Sequence, residues 1–186
     1  MADNNAKNVS VGKPQVGGAV FFAPAGTALP TDATTALASA FVNAGFISED
    51  GVTNEIETDS EEIKAWGGDV VLNPQTSRSE SYSMTFIEGN ETTYGVVFGK
   101  DNVTSGGDGA ITIKHNGKEP EERVMVVETL HGELVKRQVV PRAKVKEVGE
   151  IVYKDDEAVG YETTIAALID SSGNTAYEYI AKVATE

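Results

Sequence analysis

The sequence predicts a mostly β protein, an antiparallel β-sandwich or barrel flanked by one short α-helix. The 186 residues are 40% hydrophobic, which suffices for one sizeable core, so one domain over residues 16–186 is expected after an N-terminal arm of residues 1–15. The 19 glycines and 6 prolines separate segments rich in valine, threonine and aromatic residues, which favour strands. After residue 110, short strand-like segments alternate with turn residues, as in sandwiches and barrels.

The N-terminal third is predicted to hold an arm, a strand, a short helix and a second extended segment. The arm is polar and nearly free of apolar side chains, so it is expected to be flexible and to reach a neighbouring molecule. Residues 16–23 are predicted as a strand. Asp32 is a candidate N-cap for a short alanine-rich helix that extends to Ala40. Residues 44–52 are predicted as a further extended run, with Asp50 and Gly51 as a turn or bulge signal.

The clearest periodicity lies in the middle of the chain. Around residues 79–89, one face carries Glu80, Tyr82, Met84 and Phe86, and the other carries Ser79, Ser81, Ser83 and Thr85. This alternation predicts a half-buried strand. The next segment predicts a short helix over about residues 90–99, with Asn90 as N-cap, Glu91 in the first turn and Gly99 at its end.

The C-terminal part is predicted as a series of strands joined by turns. The turns are expected at Asn116 and Gly117, His131 and Gly132, Asp155 and Asp156, and Ser172 and Gly173. The predicted strands lie within residues 110–116, 123–132, 134–140, 143–153, 160–170 and 176–183.

The charge balance disfavours proteins that grip nucleic acid or anionic membranes. The chain has 29 acidic and 15 basic residues and a formal net charge of -14, which repels phosphate. A negative wall is nevertheless suited to a channel through which a polyanion slides without binding. The absence of cysteine excludes disulfides and thiolate sites. No apolar stretch is long enough for a membrane span, and no export signal is expected.

No motif for catalysis, metal binding or cofactor binding is recognised, so the sequence predicts a protein that is not an enzyme. His115 and His131 lie in separate segments without the spacing of metal ligands. The glycine-rich loop at residues 100–110 lacks the ligand alternation of a calcium-binding loop. Gly67 and Gly68 are not part of a phosphate-binding loop and are expected to permit an unusual turn.

Acidic residues are concentrated just before the only tryptophan, Trp66. They are Glu49, Asp50, Glu55, Glu57, Asp59, Glu61 and Glu62. Such a run is ordinarily a solvated face, but a large aromatic side chain near Ile63 and Val70 is costly to leave in water. Two interpretations stay open: Trp66 packs into its own core, or it anchors an interface.

Basic residues are concentrated in another short stretch, at Lys136, Arg137, Arg142, Lys144 and Lys146. Complementary patches on one chain favour head-to-tail self-association, in which the acidic surface of one copy meets the basic surface of the next. The alternative is an ordinary mixed surface.

Two blocks of sequence resemble a known family. Residues 26–71 contain LPTDATTAL, GFISEDGV and IKAWGGDVV, and residues 79–104 end in VFGKDNVT. These blocks resemble the major tail tube proteins of long-tailed, siphovirus-type phages that infect Gram-positive bacteria. The remainder resembles that family only as a series of strands.

The resemblance implies a structural virion protein. Six copies would form a ring with a continuous inner β-barrel, and stacked rings would form a tube with an electronegative lumen for DNA delivery. The implied partners are further copies of the chain and the tape-measure, tail terminator and tail-tip proteins, while viral DNA passes without specific binding. The expected location is the phage tail, after assembly in the host cytoplasm.

The resemblance implies that a long inter-strand loop and the arm contact the adjacent ring. The matching loop here would span about residues 48–77 and carry the acids and Trp66. The contact candidates are Glu49, Asp50, Glu55, Ile56, Glu57, Ile63, Trp66, Gly67, Gly68, Asp69, Val70, Lys136, Arg137, Arg142 and Lys144. The alternative function is a carbohydrate-binding or adhesin-like β-sandwich, an accessory protein of the phage. That protein would be a stable monomer with an exposed aromatic cleft.

Overall fold

The computed structural model describes residues 4–6, 9–15 and 17–182. It contains thirteen strands and one α-helix within that part of the chain. In chain order these are β1 (Gly12–Pro14), β2 (Val20–Pro24), β3 (Val42–Asn43), β4 (Ile47–Ser60), β5 (Ile63–Lys64), β6 (Val70–Leu72), β7 (Gln75–Phe86), α1 (Glu91–Val97), β8 (Val103–Ser105), β9 (Ile111–Ile113), β10 (Arg123–His131), β11 (Leu134–Val148), β12 (Tyr161–Ala167) and β13 (Tyr177–Lys182).

The main sheet is antiparallel throughout and has the strand order β3-β2-β10-β11-β12-β7-β4. Its two end strands are separated in the chain only by residues 44–46, so the sheet curls until its ends meet. Strand β11 is shared, because residues 134–139 pair with β13 and residues 143–148 pair with β12. We call β3, β2, β10, the first half of β11 and β13 sheet 1. Sheet 2 contains the second half of β11, β12, β7 and β4.

The inner faces of the two sheets enclose the main core. Val20 and Phe22 of β2 and Met125 of β10 pack with Met84 and Phe86 of β7. The rings of Phe22 and Phe86 lie 6.2 Å apart between centroids, although their strands are not neighbours in the sheet. This contact closes the sandwich and confirms the predicted mostly β class with one short flanking helix.

Two local predictions are confirmed in detail. Strand β7 buries Glu80, Tyr82, Met84 and Phe86 and leaves the alternate serine and threonine side chains more exposed, because strand side chains alternate between faces. Helix α1 has Asn90 as its N-cap, whose side chain accepts a hydrogen bond from the Thr93 backbone N–H at 2.9 Å. Gly99 follows the helix with a φ of 88°, a conformation that suits glycine.

The predicted helix after Asp32 is wrong. Residues 25–41 form an irregular segment that covers the outer face of sheet 1, where Phe41 and Leu37 pack on Val126 and Val139. The Asp32 carboxylate does cap backbone N–H groups, at 2.7 Å from Thr34 and 2.6 Å from Thr35, but it caps a turn. The threonines favour this local hydrogen bonding over a helix.

The two strands predicted over residues 134–140 and 143–153 belong to a single strand, β11, which ends at Val148. Strand β11 runs through Pro141, which lies where the pairing with β10 shifts between Val140 and Ala143. Proline has no N–H to donate, and a bulge removes the need for that donor. The first predicted strand begins later than expected, at Val20. Residues 1–3, 7–8, 16 and 183–186 of the predicted arm and terminal strands lie outside the described residues.

Part of the predicted arm is attached to the sheet. Residues Gly12–Pro14 form β1, which pairs with residues 129–131 of β10. The Ser10 hydroxyl lies 3.2 Å from His131 Nδ1, and the Thr129 hydroxyl lies 2.9 Å from Nε2. These contacts place residues 10–14 along the end of sheet 1.

Candidate functional site

Strands β4 and β7 extend far beyond the core as a two-stranded hairpin. Their pairing continues from Ile47 and Phe86 out to Ser60 and Gln75, and every residue in 53–79 is exposed. We call residues 53–79 the projecting hairpin. It replaces the long loop predicted over residues 48–77. The sequence showed no strand pattern there because neither face of the hairpin is buried, so no apolar alternation is required.

The base of the projecting hairpin is fixed by the buried Glu80. Its carboxylate accepts hydrogen bonds from Arg78 at 3.0 Å and Asn54 at 3.1 Å, and from the Thr175 hydroxyl. Burial alone would raise the pKa of Glu80, but the hydrogen bonds from Thr175, Asn54 and Arg78 outweigh it and hold that pKa below its ordinary value. The hairpin therefore leaves the sandwich in a defined direction.

The tip of the hairpin presents apolar side chains to solvent. Strands β5 and β6 pair Ile63 with Leu72, and the turn between them contains Gly67 and Gly68 with φ values of 122° and 101°. Trp66 lies in that turn and is fully exposed, at 107%. The interpretation that Trp66 packs into its own core is wrong. The exposed apolar side chains of the tip are Ile63, Trp66, Val70, Val71 and Leu72.

The projecting hairpin is strongly acidic. It holds six acidic residues against two basic ones, Lys64 and Arg78. Glu62 pairs with Lys64 at 3.4 Å, and Arg78 is bound to Glu80, so both bases are engaged. The other five acids have no cation within salt-bridge distance among the described residues; they are Glu55, Glu57, Asp59, Glu61 and Asp69. Ile56 lies among them and is half exposed.

Glu49 and Asp50 lie at the base of the hairpin rather than along it. Residues 48–51 form an irregular insertion in β4, between the pairs Ile47 with Phe86 and Val52 with Met84. Gly51 there has a φ of 71°, which a side chain would disfavour. These two carboxylates therefore project beside the sandwich and away from the tip.

The structure separates the basic residues that the sequence grouped. Arg137 is 4% exposed and is not a surface residue, contrary to the prediction. Its Nε donates to Glu128 at 2.6 Å, and its Nη1 donates to the carbonyls of Asp32 and Thr35, both at 2.8 Å. Lys136, on the other face of β11, pairs with Glu178 at 2.8 Å.

Further along β11, Arg142 and Lys144 also have partners within the protomer. Arg142 binds both carboxylate oxygens of Glu122, at 2.9 and 3.0 Å, and this hydrogen bonding lowers the pKa of Glu122. Lys144 binds Glu119 at 2.7 Å and lowers the pKa of that carboxyl. Lys146, in contrast, is exposed and has no acidic partner among the described residues.

A cavity of about 380 Å³ lies between the end of α1, the segment after β9 and the second half of β11. Its lining combines Lys114, Lys118, Lys144 and Lys146 with apolar groups from Val97, Phe98, Val145 and Val148. We call it the basic groove. Lys118 pairs with Asp101 at 2.5 Å, whereas Lys114 and Lys146 have no acidic partner in the described part of the chain. Sequence reasoning missed Lys114 and Lys118, because only the fold brings residues 114–118 beside residues 144–146.

The basic groove and the projecting hairpin lie at opposite edges of sheet 2. Strand β4 pairs with β7 alone, and residues 144–148 of β11 pair with β12 alone. Both outer edges therefore carry backbone groups without strand partners in the described structure. Unpaired edges of this kind are templates for pairing with another chain.

The two histidines lie in different surroundings. His115 packs against Phe98 with ring centroids 4.7 Å apart, and His131 contacts the hydroxyls of Ser10 and Thr129. Within the described residues, no group of three or more acidic or histidine side chains is placed to hold a metal ion. Residues 4–6, 9–15 and 17–182 contain no helix long and apolar enough to cross a membrane.

Comparison with known proteins gives the family. No curated protein matches the chain. A solved structure, the cryo-EM structure of the anti-feeding prophage cap (AFP tube terminating cap), is 10% identical, with a TM-score of 0.46 over 95% of this chain and 96% of that one. The family model described as phage tail tube protein matches residues 1–186. The chain therefore belongs to the phage tail tube protein family.

Proposed function

We propose that this protein is the nonenzymatic subunit that self-associates into hexameric rings and stacks them into the tail tube of the virion. Membership of the tail tube family supports a structural role in the phage tail. The observation that carries the proposal is the projecting hairpin, whose tip exposes Trp66 completely. Removing apolar surface from water stabilises association by about 25 cal/mol per Å². A neighbouring ring would cover this tip.

The edges of sheet 2 support ring closure. The sheet has four antiparallel strands in the order β11-β12-β7-β4, and both outer edges lack strand partners in the described structure. Because the number of strands is even, β11 of the next copy would lie antiparallel to β4. The alternation of strand direction would then continue from one subunit to the next. Such a head-to-tail contact closes a ring when the rotation fits, and closure pairs both free edges of sheet 2. The second half of β11 and β4 are then the strands that join subunits.

The outward face of sheet 2 would line the lumen. Across this face, Ser83 lies opposite Thr164, with their hydroxyl oxygens 3.1 Å apart, and Thr85 lies opposite Glu162. Glu55 continues the row on β4 opposite Ser81. A surface of hydroxyls and carboxylates offers phosphate little attraction, and the net charge of -14 adds repulsion. The proposed lumen is therefore electronegative and lets DNA pass without specific binding.

The proposed partners follow from this position in the tail. Copies of the chain are the main partner, and the tape-measure, tail terminator and tail-tip proteins are the others. The chain would act as one domain over residues 16–186 with an N-terminal arm, assembled in the host cytoplasm. The residues proposed to contact other copies are the predicted hairpin residues together with Lys136, Arg142 and Lys144. Arg137 is buried and would make its contacts within its own protomer.

The test is assembly of the purified protein and of Trp66→Ala, followed by negative-stain electron microscopy at rising concentration. Wild type is expected to form six-fold rings or hollow tubes of uniform width. Trp66→Ala is expected to form neither stacked rings nor tubes, with an unchanged circular dichroism spectrum, because Trp66 makes no core contact. The matched control is Ile180→Ala, which removes an exposed apolar side chain on β13 and should assemble normally.

Three outcomes would contradict the proposal. A wild-type monomer that persists at high concentration and binds glycans would favour the carbohydrate-binding alternative. Tubes formed equally well by Trp66→Ala would show that the exposed tip is not a contact. A saturable reaction abolished by one histidine substitution would revive an enzymatic function.

A further inference from the structure

We propose that the basic groove of one copy receives the tip of the projecting hairpin of a second copy, an inference that rests on the proposed function. The occupant is the segment that carries Glu61, Trp66 and Asp69. The groove contributes Lys114 and Lys146, the two lysines of its lining without an acidic partner in the described structure. The contact is therefore defined on both sides by named residues.

Charge complementarity is the first argument. With a formal charge of -14, two copies of the chain repel each other at most orientations. The groove lining is an exception, because its four lysines outnumber Glu119 and Glu147. The hairpin supplies the opposite charge, since Glu61 and Asp69 have no cationic partner among the described residues. Complementary potentials of this kind select one orientation out of many.

The apolar surfaces also match. The hairpin tip exposes Ile63, Trp66 and Val70 beside its acids. The groove presents the partly exposed side chains of Phe98, Val145 and Val148 beside its lysines. Its volume of about 380 Å³ lies within the range of pockets that admit a compact apolar group. An aromatic anchor in a pocket with charged groups around it is the usual composition of an interaction hot spot.

The position of the two surfaces allows the contact to repeat. The hairpin extends from β4 at one edge of sheet 2, and the groove lies at β11 on the opposite edge. A contact between opposite edges is heterologous, so each copy can give its hairpin to one neighbour and receive another from a second. Repetition then produces a closed or continuous assembly.

A second, larger cavity of about 890 Å³ fits the hairpin less well. It lies between β10 and the start of β4, and its lining includes the carboxylates of Glu49, Asp50 and Glu88. Its cation, Lys136, is already paired with Glu178. An acidic hairpin would meet like charges there, which disfavours binding. The basic groove is the better site by charge.

The test is reciprocal charge reversal. Lys114→Glu with Lys146→Glu should raise the protein concentration needed for assembly by about tenfold or more, because the hairpin acids would meet acids. Glu61→Lys with Asp69→Lys should do the same from the other side. The four changes together should restore assembly, since the charges are exchanged and again complementary. The matched control is Lys154→Glu with Lys182→Glu, which changes the net charge equally at two exposed lysines that do not line the groove.

Each outcome decides a different point. Absence of rings or tubes from wild type would overturn the proposed function. Assembly of wild type with equal effects of the groove and control variants would overturn this inference alone, as would failure of the four-fold variant to assemble. Folding of each monomer is checked by circular dichroism, and Lys114→Gln with Lys146→Gln replaces the reversal if that variant is unfolded.

A cross-linking experiment tests the geometry directly. The chain has no cysteine, so Asp69→Cys and Lys146→Cys introduce the only two thiols. If the tip occupies the groove, oxidation of assembled tubes should give disulfide-linked ladders of increasing copy number. The control pair, Asp69→Cys with Lys182→Cys, should give none. Assembled tubes that stay uncross-linked with the first pair, or form equal ladders with the control pair, would overturn the inference.

Discussion

A single buried guanidinium, that of Arg137, joins sheet 1 to the segment that covers it. One side of the group binds Glu128, and the other donates to two carbonyls of residues 32 and 35. The pair lies almost completely inside the protomer, with Arg137 4% and Glu128 5% exposed. Residues 25–41 have no regular secondary structure that would hold them in place, so this side chain supplies much of their attachment.

Replacing Arg137 by methionine is therefore expected to reduce the free energy of unfolding by about 3–5 kcal/mol, because it leaves the Glu128 carboxylate buried without a partner. Urea denaturation measures the change. Adding Glu128→Leu should recover much of the loss, since the unpaired charge is then removed. The neighbouring Lys136→Met breaks a more exposed ion pair and should cost no more than about 1 kcal/mol. Equal effects of the two single substitutions would contradict the structural role of Arg137.

Asp32 gives the same segment a dependence on pH. Hydrogen bonds from the side chain and backbone of Thr35 and from the backbone of Thr34 lower its pKa from 3.8 to about 2. Because the folded pKa lies below the unfolded one, the carboxylate stabilises the fold above about pH 4, and this stabilisation is lost as the pH falls towards 2.

Asp32→Asn should therefore be less stable than wild type at pH 7, with a difference that shrinks between about pH 4 and pH 2. Urea denaturation at pH 7, 4, 3 and 2 follows that difference. Asp155→Asn is the control, since its exposed carboxylate makes no hydrogen bond in the described structure. A difference for Asp32→Asn that stays constant down to pH 2 would contradict the assignment.

At the scale of elements, the sequence predicts those whose signal is local. Strand β7 was predictable because its alternation reflects one buried face, and α1 because Asn90 and Gly99 mark its ends. The projecting hairpin was not predictable, because a strand exposed on both faces shows no alternation of apolar and polar residues. Strand β11 was divided because Pro141 ordinarily ends a strand, and only pairing with β10 shows the bulge that accommodates it.

The candidate site was predicted only in part, because only some of its residues carry a local signal in the sequence. The acids and Trp66 are neighbours in the chain, so composition alone singled out the hairpin. The bases were grouped wrongly, because adjacent residues of a strand face opposite sides. Arg137 is buried beneath residues 25–41, while Lys136 lies on the opposite face of β11. Lys114 and Lys118 could not be found at all, since the groove forms only when the segment after β9 packs beside β11.

At the scale of the whole molecule, the proposed function assigns folding and assembly to different parts of the chain. All residues of the main core lie outside residues 53–79, and every residue within that range is exposed. Surface segments of this kind contribute little to the stability of the protomer. The contact proposed for the hairpin lies outside the protomer, so removal of the hairpin should separate the two properties.

Replacing residues 60–76 by Asn-Gly joins Asp59 to Ser77, which are paired opposite each other, through a two-residue turn. The shortened chain keeps Arg78 and Asn54, so the hydrogen bonds to Glu80 are preserved. Its monomer should unfold within about 1 kcal/mol of wild type in urea, because no core side chain is lost. It should form neither rings stacked on one another nor tubes by electron microscopy, because the tip that bridges copies is missing.

The control for this experiment is a second deletion, in a loop of the sandwich itself. Shortening the exposed turn at residues 155–157, between β11 and β12, removes surface residues without touching the hairpin. That variant should both fold and assemble, since solvent-exposed turns tolerate deletion. If the hairpin variant instead unfolds, the hairpin serves the protomer's own stability. If it folds and still forms tubes like the turn variant, copies are joined by the edges of sheet 2 alone, and the tip makes no essential contact.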